Sequence, residues 1–165
     1  MKTHKQYPRA GTFLLLVFCL NVSLVSSSTL SRAGSADESN IFQLVNRERE
    51  RAGLSDVQWD AAAATVARRY AERMADQGFF AHVDPDGNTA MQRAERSGLK
   101  HWSRIGENLF SCDATRGFTT LAVRGWMKSP SHRQNILDPA WTAAGVGMAE
   151  ADDGTIYVVQ IFIER

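Results

Sequence analysis

The chain has 165 residues, with 19 Lys and Arg against 18 Asp and Glu, a formal charge of +1, and 44% hydrophobic residues. This composition fits an ordinary globular protein and excludes collagen-like and low-complexity chains. The near balance of charge argues against a nucleic-acid partner, and two cysteines, at 19 and 112, neither staple a miniprotein nor form a Cys-x-x-Cys metal pair.

Lys2, Lys5 and Arg9 precede an apolar run, Phe13 to Leu20, that resumes at Val22, Leu24 and Val25 and ends in small residues. That is the layout of a secretory signal peptide. The apolar stretch is only about a dozen residues and contains Asn21, whereas a membrane span needs roughly 20. Residues 1–36 are therefore expected to be a signal peptide cleaved between about 27 and 36, leaving 37–165 as one exported domain with no transmembrane span. Cleavage after Ala36 removes Lys2, Lys5, Arg9 and Arg32, leaving 15 basic against 18 acidic residues and a net charge of −3. Cys19 leaves with them, and Cys112 is expected to be a buried small hydrophobe, since no neighbouring cation marks it as activated.

In the remaining chain, Ser39 is predicted to cap a helix with the stripe Ile41, Leu44 and Val45. Its Arg47-Glu48-Arg49-Glu50-Arg51 run reads as a solvated end with local ion pairs, stopped at Gly53. Asp60 caps a second helix, in which Ala63, Val66, Ala67, Tyr70, Ala71 and Met74 recur at helical spacing up to Gly78. Ala81 to Asn88 is rich in turn residues. Asp84, Asp86, Asn88 and Glu95 take the spacing of a calcium loop, but Thr89 stands where that loop requires glycine, so the stretch reads as a turn and helix cap.

A short helix from Thr89 to Ser97 is closed by Gly98, and His101 with Trp102 reads as a loop pair. Ile105 to Cys112 has strand character, and Phe118 to Lys128 is predicted helical with Leu121, Ala122 and Trp126 inward. Ser129 is the predicted N-cap of a further turn with Pro130 at its first position. Trp141 reads as core. Two strands, Gly145 to Ala149 and Thr155 to Ile163, end the chain around an Asp152-Asp153-Gly154 turn. The order of elements predicts a small mixed sheet covered by helices.

Three residues combine suitable chemistry with structure that could present it: His82 before the turn, Glu107 on the first strand, and His132 in Ser-Pro-Ser-His. Two imidazoles and a carboxylate suit a divalent ion such as zinc with open positions, although their even spacing along the chain supplies no one-face motif of the His-Glu-x-x-His kind.

Ile105-Gly106-Glu107-Asn108-Leu109, followed by Gly125-Trp126-Met127-Lys128-Ser129-Pro130-Ser131-His132-Arg133-Gln134-Asn135-Ile136-Leu137, resembles the signature of the CAP superfamily. This is the SCP domain of cysteine-rich secretory, antigen 5 and pathogenesis-related-1 proteins. Asn46-Arg47-Glu48-Arg49, Leu54, Trp59-Asp60, Phe80-Ala81-His82 and Val158-Val159-Gln160-Ile161-Phe162 match too, and the likeness is greatest to the bacterial branch. The resemblance implies an α+β fold, a three-layer α-β-α sandwich with a small, mainly antiparallel sheet. It also implies a secreted protein whose cleft carries two histidines and two acids, able in some members to hold zinc. His82, His132 and Glu107 take three of these places. The second acid has no match, and counting from Trp126 puts Ser129 there.

His82, Glu107, His132 and Ser129 are thus the expected ligand-binding residues, and the first three the candidate metal ligands. The ligand classes implied are lipid, sterol, peptide or cell-envelope material. Asn108 and Asn135 are expected to hold backbone near the cleft. A zinc-dependent extracellular hydrolase and a protein-interaction scaffold are the alternatives, and the resemblance does not establish catalysis. A serine hydrolase through Ser129 or Ser131 fits less well, because adjacent residues on one turn diverge and no Gly-x-Ser-x-Gly elbow occurs.

Overall fold

A computed structural model describes the backbone from Ser27 and the side chains from Ala36, through to Arg165. Cys19 and most of the expected signal peptide lie outside the described residues. The elements are α1 (Ser27–Arg51), β1 (Gln58–Trp59), α2 (Ala61–Gln77), α3 (Ala90–Arg96), β2 (Arg104–Asp113), α4 (Phe118–Lys128), α5 (Pro130–Ile136), β3 (Ala143–Glu150) and β4 (Thr155–Glu164).

The strands form one sheet in the order β1-β3-β4-β2. The pairs β2 with β4 and β3 with β4 are antiparallel, and the short β1 runs parallel to β3. The strand β4 is central and its residues from Ile156 to Ile163 are all buried. Its side chains alternate between two cores. Tyr157, Val159, Ile161 and Ile163 pack with Ala63, Ala67, Tyr70, Ala71 and Met74 of α2 and Ala94 of α3. Ile156, Val158 and Phe162 pack on the other face with Ile41 and Val45 of α1, Val123 and Trp126 of α4, and Ile136 of α5. The molecule is the expected three-layer α-β-α sandwich.

Local chemistry accounts for most boundaries. The side chain of Asp60 accepts from the Ala63 N–H at 2.7 Å to start α2. Thr89 and Gln92 form a reciprocal capping box on α3. Gly53 ends α1 in a Schellman turn, with Leu54 N–H donating to the Arg49 carbonyl and Gly53 N–H to that of Glu50.

Several expectations are corrected. Ser39 is not an N-cap, because α1 already begins at Ser27 and includes residues 27–36, and Ser39 sits inside it. Glu38, one residue earlier, is buried and receives a fork of two hydrogen bonds from Arg68. The basic and acidic run is not wholly solvated. Arg51 does pair with Glu48, but Arg49 is 1% exposed. Leu121 faces solvent at 43% exposure, since the buried stripe of α4 runs through Phe118, Thr119, Ala122, Val123 and Trp126. Cys112 is half-buried rather than fully enclosed, and burial followed by the Asp113 charge pushes its thiol pKa up. The strand β1 was not anticipated. It forms because Asn46 on α1 donates to the Val57 carbonyl and accepts from the Val57 N–H, both at 3.1 Å, holding the connection extended beside β3.

Candidate functional site

The strand β2 is a sheet edge, and elements from both outer layers reach it. Residues 105, 107 and 109 face the α2 side, while Phe110 and Cys112 face the α4 and α5 side. Glu107 therefore points toward the loop between α2 and α3, where His82 lies. His82 Nδ1 is 2.8 Å from Glu107 Oε1. His132 approaches from α5, and the two imidazole centroids are 6.3 Å apart. Three residues dispersed in sequence thus meet at one edge of the sheet. Ser129, the fourth, stands at the start of α5, but its hydroxyl makes no helix-capping bond and lies 3.4 Å from Ser131 Oγ instead. Its expected capping role is therefore confined to the backbone.

Arg93 completes the arrangement and carries no sequence signal beyond an ordinary charge on a short helix. Its guanidinium lies 3.3 Å from the Tyr70 ring centre. It donates through Nη2 to Glu107 Oε2 at 2.5 Å and through Nη1 to the carbonyls of His82 and Asn88. Side-chain exposure is 10% for Arg93 and 5% for Glu107, so this is a nearly desolvated ion pair whose partners depend on one another. Tyr70 is locked too: its hydroxyl donates to the Ala81 carbonyl, and burial pushes its pKa up to about 12. Next to it Asp84 closes the turn. Burial alone would raise its pKa, but hydrogen bonds from Asn88 together with the Arg73 charge hold it below the usual carboxylate range. The calcium-loop carboxylate is thus spent on its own turn.

The asparagines fasten α5 to β2. Asn108 Nδ2 donates to the His132 carbonyl, and Asn135 Nδ2 donates to the Glu107 carbonyl and to Asn108 Oδ1. Trp126 Nε1 donates to the Leu109 carbonyl at 2.8 Å. The Asn135 and Trp126 donors occupy edge carbonyls of β2 that another strand would otherwise pair with. Gly106 is needed because a Cβ there would meet the Trp141 ring at 2.8 Å. In the Gly-Glu-Asn motif, then, glycine admits a core tryptophan, glutamate holds a histidine and asparagine holds a helix.

Residues 42–162 match the CAP model, the cysteine-rich secretory protein family. The chain belongs to the CAP family. This CAP domain is 32% identical to YkwD of Bacillus subtilis over 126 residues, 76% of this chain and 47% of that protein. It is 30% identical to the membrane protein YlbC of the same organism, over 86% of this chain and 38% of that protein. Among solved structures, an extracellular SCP-domain protein from Bacillus anthracis superposes with a TM-score of 0.71 at 28% identity, over 86% of this chain and 44% of that one. An outer surface protein of Borrelia burgdorferi gives 0.71 at 22% identity, over 79% of this chain and 93% of that one, a likeness of fold alone. The chain spans less than half the length of YkwD, YlbC and the Bacillus anthracis protein.

The donor set of this CAP domain fits zinc poorly. Open zinc sites ordinarily use three protein ligands. Both oxygens of Glu107 are already engaged, by His82 and Arg93, which leaves the two imidazoles. Among the described residues no group of three or more His, Cys, Asp or Glu is placed to hold a metal ion. Glu107 instead sits where a carboxylate orients an imidazole through Nδ1 and leaves Nε2 as the free nitrogen.

Burial, and after it the charge of His82, hold the His132 pKa below the ordinary imidazole value. The unfolded chain then binds a proton that the folded chain resists. This contribution to stability is complete above about pH 6.5 and is lost as pH falls through the lowered folded pKa. Urea unfolding from pH 7 to pH 5 should show a shallower loss of stability in His132→Gln than in the wild type. An identical slope would mean that the imidazole is not its source.

Proposed function

We propose that this chain is an exported CAP domain that binds a small ligand in the cleft between His82 and His132, with residues 1–36 as its signal peptide. The observation that carries the reading is the convergence of His82, His132 and the Glu107–Arg93 pair at the edge strand β2. There a free imidazole nitrogen can accept a hydrogen bond from a ligand while the buried ion pair fixes the ring. Phe80, two residues before His82, and Val83, directly after it, are each 50% exposed, so exposed apolar side chains lie close in sequence to the polar centre. A ligand with one hydrogen-bonding end and an apolar body suits such a cleft, which favours lipid or sterol over purely polar envelope material. The extracellular description of the Bacillus anthracis relative supports export, and among the described residues no helix is long and apolar enough to cross a membrane.

Mass spectrometry of compounds that copurify with the protein tests the reading. A species retained by the wild type should be absent from His82→Ala. The His82 side chain is 57% exposed, so that its removal opens no cavity in the core. Identical extracts from the two proteins would defeat the proposal and favour a scaffold that binds through its outer surface. Calorimetry with zinc separates the remaining alternative. Binding at micromolar metal that His132→Ala abolishes would revive the hydrolase reading, and it would require Glu107 to leave Arg93.

A further inference from the structure

The helix α2 carries Arg69 and Arg73 one turn apart, and α3 carries Arg93 and Arg96 one turn apart. Such spacings put each pair on one helix face. The two helices pack so that all four arginines line a single cleft of about 170 Å³, with Tyr70, Asp84 and Asn88 in its wall. None of these arginines stood out in the sequence, because each reads there as a solvated charge.

The charges in this cleft do not cancel. Arg73 is held by Asp84 and Asp86, both at 2.7 Å, and Arg93 by Glu107. Asp84, the carboxylate in the wall, is buried and accepts from Arg73, from the N–H groups of Asp86 and Asn88, and from the Asn88 amide. Arg69 and Arg96 are exposed, and among the described residues neither has a carboxylate within 4.0 Å. Arg93 has a further unused donor: its buried Nε–H has no acceptor among the described residues. A concave site with two uncommitted guanidinium groups, beside two that are fixed by their own partners, is suited to an oxyanion.

We infer that the cleft between α2 and α3 is an anion site that takes a phosphate group, free or on a small phosphomonoester. Guanidinium is the planar, permanently charged fork that pairs two-to-two with phosphate oxygens. The volume equals that of about six water molecules, enough for a phosphate with a short carbon stem. Arg93 and Tyr70 separate this cleft from the histidine pair. The inference stands apart from the reading of the histidine cleft, since Arg69 and Arg96 can be changed with His82, Glu107 and His132 intact.

Isothermal titration of the purified protein with inorganic phosphate, at constant ionic strength set with sodium chloride, tests it. Saturable single-site binding is expected. The double variant Arg69→Gln/Arg96→Gln should weaken it at least about tenfold, the loss of roughly one charge-assisted hydrogen bond or more. Arg124→Gln, an exposed change on α4, should leave it unaltered. Glycerol 3-phosphate in a second titration distinguishes the sources: tighter binding than phosphate assigns the site to phosphomonoesters, and equal or weaker binding assigns it to free phosphate. Absence of saturable binding, or wild-type affinity in the double variant, overturns the inference.

Discussion

Gly147→Ala is expected to cost about 4 kcal/mol or more, a large part of the 5–15 kcal/mol that holds a typical domain folded. A Cβ at this position would lie 2.0 Å from the Arg68 nitrogen and 2.5 Å from the Ala67 carbonyl carbon. These are backbone atoms of α2 and cannot rotate away. Separations under 3.0 Å are essentially never seen for real Cβ atoms, so the helix itself would have to lift from β3. That would open the core in which Ala67, Tyr70 and Ala71 meet Val159 and Ile161. Gly145 faces the same helix one step along the strand, with a Cβ 2.1 Å from the Ala64 nitrogen, so no sliding of α2 relieves both positions.

The control is Gly154→Ala. Gly154 has φ +84 and open space around it, and its cost is the left-handed backbone of an L-residue, roughly 1–2 kcal/mol. Urea unfolding of both variants gives the comparison. A Gly147→Ala protein within about 1 kcal/mol of the Gly154→Ala protein would show that α2 does not rest directly on the strand.

Arg49→Met should be almost as severe, at about 3–5 kcal/mol. Arg49 donates through Nε to the Ser55 carbonyl at 3.0 Å, and through Nη1 to the carbonyls of Ile136 and Asp138, both at 2.8 Å. Among the described residues it has no carboxylate within 4.0 Å. Burial pulls its pKa down, and the charges of Asp138 and Asp56 act in the opposite direction without restoring it. Ile136 is the last residue of α5, so its carbonyl is one that the helix cannot satisfy internally, and a cation there also complements the helix dipole.

Methionine fills much of the space but leaves three acceptors without donors, of which the Ile136 carbonyl is buried and costs about 1–3 kcal/mol and the part-buried Ser55 and Asp138 carbonyls less. Arg49→Lys should recover less than half of the loss, because an ammonium is not a planar fork. The midpoint of urea unfolding, with its slope, measures this. A methionine variant within about 1 kcal/mol of wild type would mean that the three carbonyls find water instead. Because α5 also carries His132, the weakened variant should hold less of the ligand proposed for the cleft.

Most of the fold could be read from the sequence where local signals act alone. Asp60 and Gly78 bracket α2 as expected, Thr89 caps α3, and the nearly continuous apolar run of β4 marks a strand buried on both faces. The errors arise where depth in the fold decides. Arg49 stands in a run of alternating charge and has the local appearance of Arg51, yet only Arg49 lies under the end of α5. Leu121 is more apolar than Thr119, but Thr119 lies on the buried stripe and receives a hydrogen bond from Asn40 at 3.0 Å. Ser39 has the right chemistry for a cap but lies in a helix that began earlier. Of the candidate site, His82, Glu107 and His132 were found through the motif that surrounds them. Arg93 and Tyr70 were not, because an arginine on a short helix and a tyrosine on an apolar stripe each have a sufficient local explanation.

The amino-acid order alone determined the elements and their ends, because caps, turns and periodicity depend on neighbours within a few positions. The three layers and the residues that meet were implied by the resemblance of its motifs to the CAP superfamily. Only the tertiary structure decided what those residues do to one another. Its sheet order makes β2 an edge, so that the α2–α3 loop of one layer and α5 of the other bring His82 and His132 together around it. Its packing gives both oxygens of Glu107 to His82 and Arg93 rather than to a shared centre with His132. Pairings of this kind depend on distances across the chain that no local pattern encodes.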